Sequence, residues 1–457
     1  MAPSRRDFLK TGALVGAGLV MFPHVFAGTE PERAPVGPSG EIAVALIGCG
    51  AQGNVLLDAL MRLNRSFGVR VVAVCDIWKF KLDATVRRLR ANGREVNGYA
   101  DFREMLAREH SLDAVFVATP DFCHAPQTLA CLAEGKHVYC EKMMAENVEG
   151  ARAIVRAARA ARERGLLTQI GHQRRSNPYY RYAFEKILPS GMLGRITHGI
   201  GQWNRAVSRD VVAPKKFRPD AALLREFGYE DERQFLNWRW FKKYSGGPVS
   251  DLGAHQIDIF NWFFGDPESV IAAGGNDYYA NHEWYDNVTA TFAYATPAGK
   301  VRVTYQTLTT TSYGGGYFEA FAGDEGSLRL SEKPSLVRVY QEPRSAADWR
   351  EFVARGLLEN RAVPAEAAAA ALEDGFEDAR ASASAPADEF VFPRGVALGA
   401  KTIHQPHVEN FVRAIRGKAQ LTCDAEEAFR AEAPIYRVNE AVAAEKMLRY
   451  SPEDFAV

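Results

Sequence analysis

The stretch from Ile42 to Gly53, reading Ile-Ala-Val-Ala-Leu-Ile-Gly-Cys-Gly-Ala-Gln-Gly, constrains the fold more than any other part of the chain. Ile42 to Ile47 is too short an apolar run for a helix. Bounded by glycine, it suits a strand buried on both faces of a parallel sheet. Gly48, Gly50 and Gly53 then follow the pattern G-x-G-x-x-G, and a helical pattern runs from Gln52 to about Leu63. Gly48 permits a tight turn, Gly50 lets a pyrophosphate approach the backbone, and Gly53 lets the helix pack closely on the strand. Free N–H groups at the helix start, together with its dipole, favour a phosphate there, so Ala51 and Gln52 join the three glycines as candidate cofactor contacts. A second buried run, Val69 to Cys75, ends at Asp76, at the roughly 20-residue offset of a ribose-binding carboxylate. These features predict a dinucleotide-binding, doubly wound domain. The same fold without a ligand is the alternative.

At 457 residues the chain has room for two or three domains. Lys+Arg and Asp+Glu balance at 56 each, which leaves no basic field for nucleic acid. The start of the chain has a different character. Arg5-Arg6 opens a twin-arginine export signal, followed by an uncharged run from Thr11 to Met21 and small residues around Ala27. That run falls short of the roughly 20 residues that span a bilayer, and no cysteine ends it to accept a lipid, so no stable membrane anchor is expected. The reading is a precursor passed by the twin-arginine translocation machinery to the periplasm, with residues 1–27 removed and 28–40 serving as a linker. The six cysteines include no C-x-x-C pair, and free buried thiols are expected rather than disulfides or a zinc site.

From Glu41 strands and helices alternate, closing with Leu166 to Ile170, so residues 41–171 read as one α/β unit with a parallel sheet. A helix is expected from Pro126 to Ala133. Beyond Gly171 the rhythm changes to strand-like runs at Ile196–Trp203, Ser269–Ala273, Val288–Ala295, Lys300–Thr307 and Tyr317–Ala322. Several alternate with period two, which predicts an α+β domain over 172–457 built on a large, mostly antiparallel open sheet. One face of that sheet needs cover from a helix or another subunit, and a homo-oligomer through it is expected. Residues 342–393 form an Ala-, Glu- and Pro-rich insertion.

Two further stretches carry chemistry. Glu141-Lys142 follows the strand His137 to Cys140, on the edge where doubly wound sheets place ligands. The other runs from Ser245 to Asp258. If it is helical after Pro248, then Asp251, His255 and Asp258 share one face. An Asp/His pair at that spacing orients an imidazole and raises its basicity, as proton transfer near neutral pH requires. A structural Asp–His hydrogen bond and a metal site are the alternatives, and no third ligand cluster supports the metal.

With these residues assembled, the sequence resembles the Gfo/Idh/MocA oxidoreductases. The resemblance rests on Gly48 to Gly53, Ala118-Thr119-Pro120 with His124, Glu141-Lys142, Gly246-Gly247 with Asp251-x-x-x-His255, and Gly323 to Ser327. It covers the chain from Glu41 onward, the insertion excepted. It implies a Rossmann domain holding NAD, with Lys142 on the reacting hydroxyl, His255 as acid–base and Asp251 in support. Thr119, Pro120 and Glu141 are implied along the nicotinamide ribose, His124 and Lys142 belong to the same cofactor-binding set, and Asp251 and His255 also border the substrate. The sequence departs at Met143, where the family usually has proline. Arg174, Trp238 and Arg239 flank this site in sequence and are candidate sugar contacts, with exposed arginine and core tryptophan as the other readings. Asp76 favours NAD over NADP, while Lys79 and Lys81 could instead pair with a 2′-phosphate. The expected activity is hydride transfer between a sugar or polyol carbon and a tightly held nicotinamide cofactor. Glycoside hydrolysis or elimination through transient oxidation by bound NAD is the second reading, and a noncatalytic sensor the third.

Overall fold

The computed structural model describes residues 40–360 and 388–457. The expected export signal at 1–27, the expected linker except Gly40, and the middle of the 342–393 insertion lie outside the described residues.

The first sheet holds six parallel strands: β1 (Ile42–Ile47), β2 (Val69–Cys75), β3 (Asn97–Tyr99), β4 (Ala114–Val117), β5 (His137–Cys140) and β6 (Thr168–Ile170). Their order is β3-β2-β1-β4-β5-β6. All six residues of β1 are buried, as its unbroken apolar run requires when helices cover both faces. The order reverses between β1 and β4, and the crevice beyond the carboxyl ends of those strands is where such sheets bind ligands. Helix Gln405–Ile415 comes from far along the chain to pack on this sheet, with Phe411 edge-on to Phe116 at 5.6 Å. The helix predicted to begin at Pro126 instead spans Asp121–Ala133, with Pro120 at its N-cap and Pro126 inside it. Pro120 already supplies the fixed φ that a helix entry favours.

The second sheet has ten strands in the order β14-β15-β13-β12-β11-β7-β10-β9-β8-β16. They are β7 (Ile196–Asn204), β8 (Pro267–Gly275), β9 (Asn287–Thr296), β10 (Gly299–Leu308), β11 (Tyr317–Gly323), β12 (Gly326–Leu330), β13 (Arg338–Gln341), β14 (Glu359–Asn360), β15 (Asp388–Val391) and β16 (Leu448–Arg449). The pairing is antiparallel except where β7 meets β10 in parallel. The flanks of the insertion extend the sheet through β14 and β15. Along β10, Val301, Val303 and Tyr305 point inward and are buried, while Arg302 and Thr304 are exposed.

Helix Ala254–Phe264 covers the inner face, and two glycines of β7 set how close it lies. A Cβ on Gly201 would sit 2.9 Å from the Phe260 ring, and one on Gly199 would sit 3.2 Å from it. Two residues apart on one strand, they share a face, so the His-Gly-Ile-Gly run at 198–201 is a seat for the helix that carries His255. All six cysteines are free, and five of them are buried.

Candidate active site

The glycine-rich turn has the geometry its sequence implies. Gly48 has φ +97°, and a Cβ there would lie 2.5 Å from the Ala118 carbonyl oxygen; on Gly53 it would lie 1.8 Å from that of Gly48. At Gly50 a Cβ would meet nothing within 4 Å, so this face of the turn is an open cradle. No side chain caps helix Ala51–Phe67, which leaves its first turn available to a phosphate. Asp76 braces the turn, accepting from the backbone N–H groups of Cys49 and Trp78, both at 2.7 Å. Burial pushes its carboxyl up to about 6, against those two hydrogen bonds and Lys81. Gln52 donates to Glu141 across the turn at 2.9 Å, tying the end of β5 to the cradle. Glu141 is buried, and its carboxylate fills the space over Gly171. Thr119 donates its hydroxyl to Gln127 at 2.7 Å, beside Pro120 at the end of β4.

Lys142 leaves β5 toward the second domain through a cis peptide bond to Met143. Its ammonium donates to the Asp251 carbonyl at 2.6 Å and to that of Ser250 at 3.4 Å. Those carbonyls belong to a wide π turn, Val249–Gly253, that leads into helix Ala254–Phe264. Lys142 thus reaches across the cleft to the turn that leads into the helix bearing His255. The His255 ring lies against Trp203 at 5.4 Å, and its Nδ1 is buried with no hydrogen-bond partner among the described residues. Burial, then the nearby charges of Lys142 and Arg174, hold it well below the usual histidine range, so the imidazole is neutral.

The Asp251–His255 hydrogen bond expected from helical spacing does not form. Instead Asp251 accepts from Arg239 Nε at 3.0 Å and pairs with Arg205 at 3.5 Å. The π turn replaces the α spacing on which that expectation rested, and two guanidinium groups offer stronger, charge-assisted contacts than a neutral ring. Burial works to raise the Asp251 carboxyl, but Arg239, then Lys142 and Arg205, hold it well below the usual range. Asp258 also turns away from the cleft. It accepts from Arg175 at 2.7 Å and faces His172 at 3.6 Å, while His172 contacts Glu432 at 2.9 Å.

Arg174, expected to touch a sugar, is only 1% exposed. It bonds Glu319, reaches Glu332 at 3.4 Å, and lies over the Tyr317 ring at 5.4 Å. Two buried carboxylates claim the guanidinium, and no ligand can reach it without uncovering the core. His124 is likewise buried, with both ring nitrogens against backbone carbonyls, Met143 at 2.6 Å and Thr119 at 2.7 Å. It braces the ends of β4 and β5 from behind rather than facing a cofactor. Arg239 is half-exposed, with its guanidinium 4.3 Å from the Trp238 ring.

The oxidoreductase family whose first domain is an NAD-binding Rossmann fold matches residues 42–172, and the family's C-terminal alpha/beta domain matches 224–447. The chain belongs to the Gfo/Idh/MocA oxidoreductases. A 4-carboxy-2-hydroxymuconate-6-semialdehyde dehydrogenase of a Sphingobium strain is 34% identical over 145 residues, 32% of this chain and 42% of its own length. The match therefore spans less than half of that relative. Inositol 2-dehydrogenase of Burkholderia cenocepacia is 26% identical over 68% of this chain and 82% of its own. Levoglucosan dehydrogenase, solved with NADH, superposes with a TM-score of 0.65 at 18% identity, covering 90% of this chain and 99% of its own. As a family member the protein is an NAD-dependent oxidoreductase, and the open cradle at Gly50 with Asp76 beside it fits that cofactor.

This Gfo/Idh/MocA site contains two residues that sequence reasoning missed. Asp121 opens helix Asp121–Ala133 and is 5% exposed. Burial pushes its carboxyl up to about 7, against the pull of Lys142. Its signal was the Pro120 entry, masked by Pro126 six residues on. Arg205 lies beyond β7 and had no local signal. Among the described residues no group of three or more His, Cys, Asp or Glu is placed to hold a metal, and no helix is long and apolar enough to cross a membrane.

Proposed function

We propose that the protein oxidises a hydroxyl-bearing carbon of a sugar or polyol, using an NAD that stays bound between turnovers. The observation that carries this reading is the Lys142 ammonium at the carboxyl edge of the first sheet, seated on the turn that leads into the helix of the neutral His255 imidazole. Nicotinamide, when bound there, supplies the hydride acceptor. Lys142 holds the substrate hydroxyl and stabilises the oxygen as negative charge develops on it. His255, held neutral, takes the hydroxyl proton. Asp251 acts less on His255 than on the cations around it: its carbonyl fixes Lys142 and its carboxylate fixes Arg239 and Arg205. Arg239 stacked on Trp238 then offers a flat, donor-rich face to a sugar ring. Thr119, Pro120 and Glu141 border the nicotinamide ribose.

Export through the twin-arginine pathway, which carries folded proteins, accords with a cofactor loaded before transport, and the periplasm would offer little free NAD to replace it. The exposed Ile200 and Ile271 on the outer face of the second sheet support a homo-oligomer through that face. The test is a panel of sugars and polyols offered to the purified protein, read by absorbance of the reduced nicotinamide and by sugar analysis. Reduction with a ketone or lactone product supports the reading. Release of the aglycone from chromogenic glycosides without net reduction assigns transient oxidation with glycoside cleavage instead.

A further inference from the structure

The cover over one end of the cofactor crevice comes from the second domain. After β7 the chain does not turn directly into the helix that bears His255. It first crosses to the first domain as a short turn at Lys215–Phe217 and two helices, Ala221–Glu226 and Glu232–Leu236. This strap is fastened at three places along the carboxyl edge of the first sheet. Beyond β2, Trp78 Nε1 donates to the Phe217 carbonyl at 2.6 Å, and the Phe217 ring lies 4.4 Å from that of Phe80. Beyond β3, Arg103 pairs with Glu226 at 3.6 Å. Beyond β4, the Phe122 ring packs edge-on to Tyr229 at 5.3 Å. Behind the seam Leu224, Tyr229, Phe241 and Tyr244 form a small buried core of their own.

The polarity of the crevice says what lies beneath. A dinucleotide with its pyrophosphate at Gly50 and a ribose at Asp76 places its adenine past Asp76, at the end of β2. Trp78 is two residues beyond Asp76, and Phe122 two beyond Pro120. The Trp78 and Phe80 contacts of the strap therefore lie just past Asp76, on the adenosine side of the crevice, while its Phe122 contact anchors it at the end of β4.

We propose that residues 215–236 clasp the adenosine half of the dinucleotide and set its rate of release. The proposal rests on the NAD-binding reading and deepens it by giving cofactor retention a physical cause within the chain. Leaving the site requires the Trp78–Phe217 hydrogen bond and the aromatic seam to part, whereas substrate exchange at Lys142 and His255 does not. Cofactor and substrate then have separate gates, as a protein that keeps one and turns over the other needs.

The experiment loads the full chain with NADH, mixes it with lactate dehydrogenase and pyruvate to consume whatever is released, and follows the loss of bound-NADH fluorescence. Phe217→Ala and Phe80→Ala should each speed release by roughly 10-fold, with less than additive effect in the double variant, since both remove one contact. Phe217→Tyr should release as slowly as the wild type. Competition with ADP-ribose, which keeps the adenosine half, should show the same loss of retention, while nicotinamide mononucleotide, which lacks it, should be indifferent to the variants. Phe217 is 38% exposed, so its truncation leaves the fold intact, and a thermal melt verifies this. Unchanged release in both alanine variants overturns the proposal while leaving the NAD reading standing. Faster association with unchanged release also overturns it, because the strap would then be obstructing the site rather than holding its occupant. A wild-type chain that binds no NADH overturns both.

Discussion

The two walls of the cleft recognise their ligands by different means. On the Rossmann wall the work is done by backbone: a left-handed glycine, an open cradle, an uncapped helix, and a carboxylate that grips two N–H groups. On the facing wall it is done by charged side chains choosing among partners, as when Asp251 takes Arg239 and Arg205 and leaves His255 alone. The first kind of site is written in one short strand–helix–strand stretch, from Ile42 to Asp76. The second is settled only when distant segments meet, and its near-degenerate choices are decided by charge and burial rather than by spacing.

The largest effect separates two glycines within the first wall. Gly53→Ala would force a Cβ to 1.8 Å from a carbonyl oxygen, whereas Gly50→Ala finds open space. The expected outcome is loss of both cooperative folding and NADH binding for Gly53→Ala. Gly50→Ala should melt like the wild type yet bind NADH at least 10-fold more weakly, because its methyl occupies the pyrophosphate's place. Thermal melts with NADH titration decide this. Equal behaviour of the two variants would mean that packing, not phosphate approach, is the role of the whole triplet.

The contrast also explains how much of the molecule the sequence made legible. The strand-to-cradle unit, Asp76 at the end of β2, and Lys142 at the end of β5 follow from local pattern, and the structure puts all of them on one edge. The period-two runs likewise foretold the core of the second sheet. Strands β12 to β16 went unforeseen because they are short, and two of them flank an insertion that reads as irregular. The partner of Arg174 is 145 residues away, and that of Gln52 is 89 away. No window of sequence holds both ends of such contacts, so Arg174 looked free when it is buried.

Arg174 therefore gives the next test. Replacing it by Gln leaves Glu319 and Glu332 buried without their cation, and breaking a buried pair costs about 3–5 kcal/mol. Denaturant unfolding should show that loss, with NADH affinity little changed in the fraction that folds. If stability holds and only the affinity for sugar falls, the guanidinium is a ligand contact after all, and the facing wall was legible from its sequence neighbours.

Lys142→Ala comes third. It should keep its NADH, because the cradle is built without Lys142, and lose turnover by about 10²-fold, the scale of one positioned electrostatic group. The Lys142→Ala/His255→Ala double variant should fall short of the product of the single effects if both groups act on one hydroxyl. Full multiplicativity in steady-state rates would separate the two walls into independent contributors.

The smallest effect tests the place where the walls meet. Asp121 belongs to the Rossmann wall, yet after burial, the largest cause, its ionisation answers to Lys142 and to the Asp251 and Arg239 charges of the facing wall. Its carboxyl titrates near 7 in the folded chain against an ordinary value of 3.8. Between those values the native state holds more protons than the unfolded state, so stability falls as pH rises through that window, and the full penalty is present above it. Asparagine cannot ionise and escapes the penalty, although Lys142 loses a neighbouring charge in exchange. At about 1.4 kcal/mol per pKa unit, the advantage of Asp121→Asn over wild type should grow by about 1–3 kcal/mol between pH 5 and pH 8. Urea midpoints at the two pH values measure it. Parallel curves for the two proteins would mean that Lys142 fully offsets the burial of Asp121. The two walls would then be matched in charge there as closely as they are at Asp251.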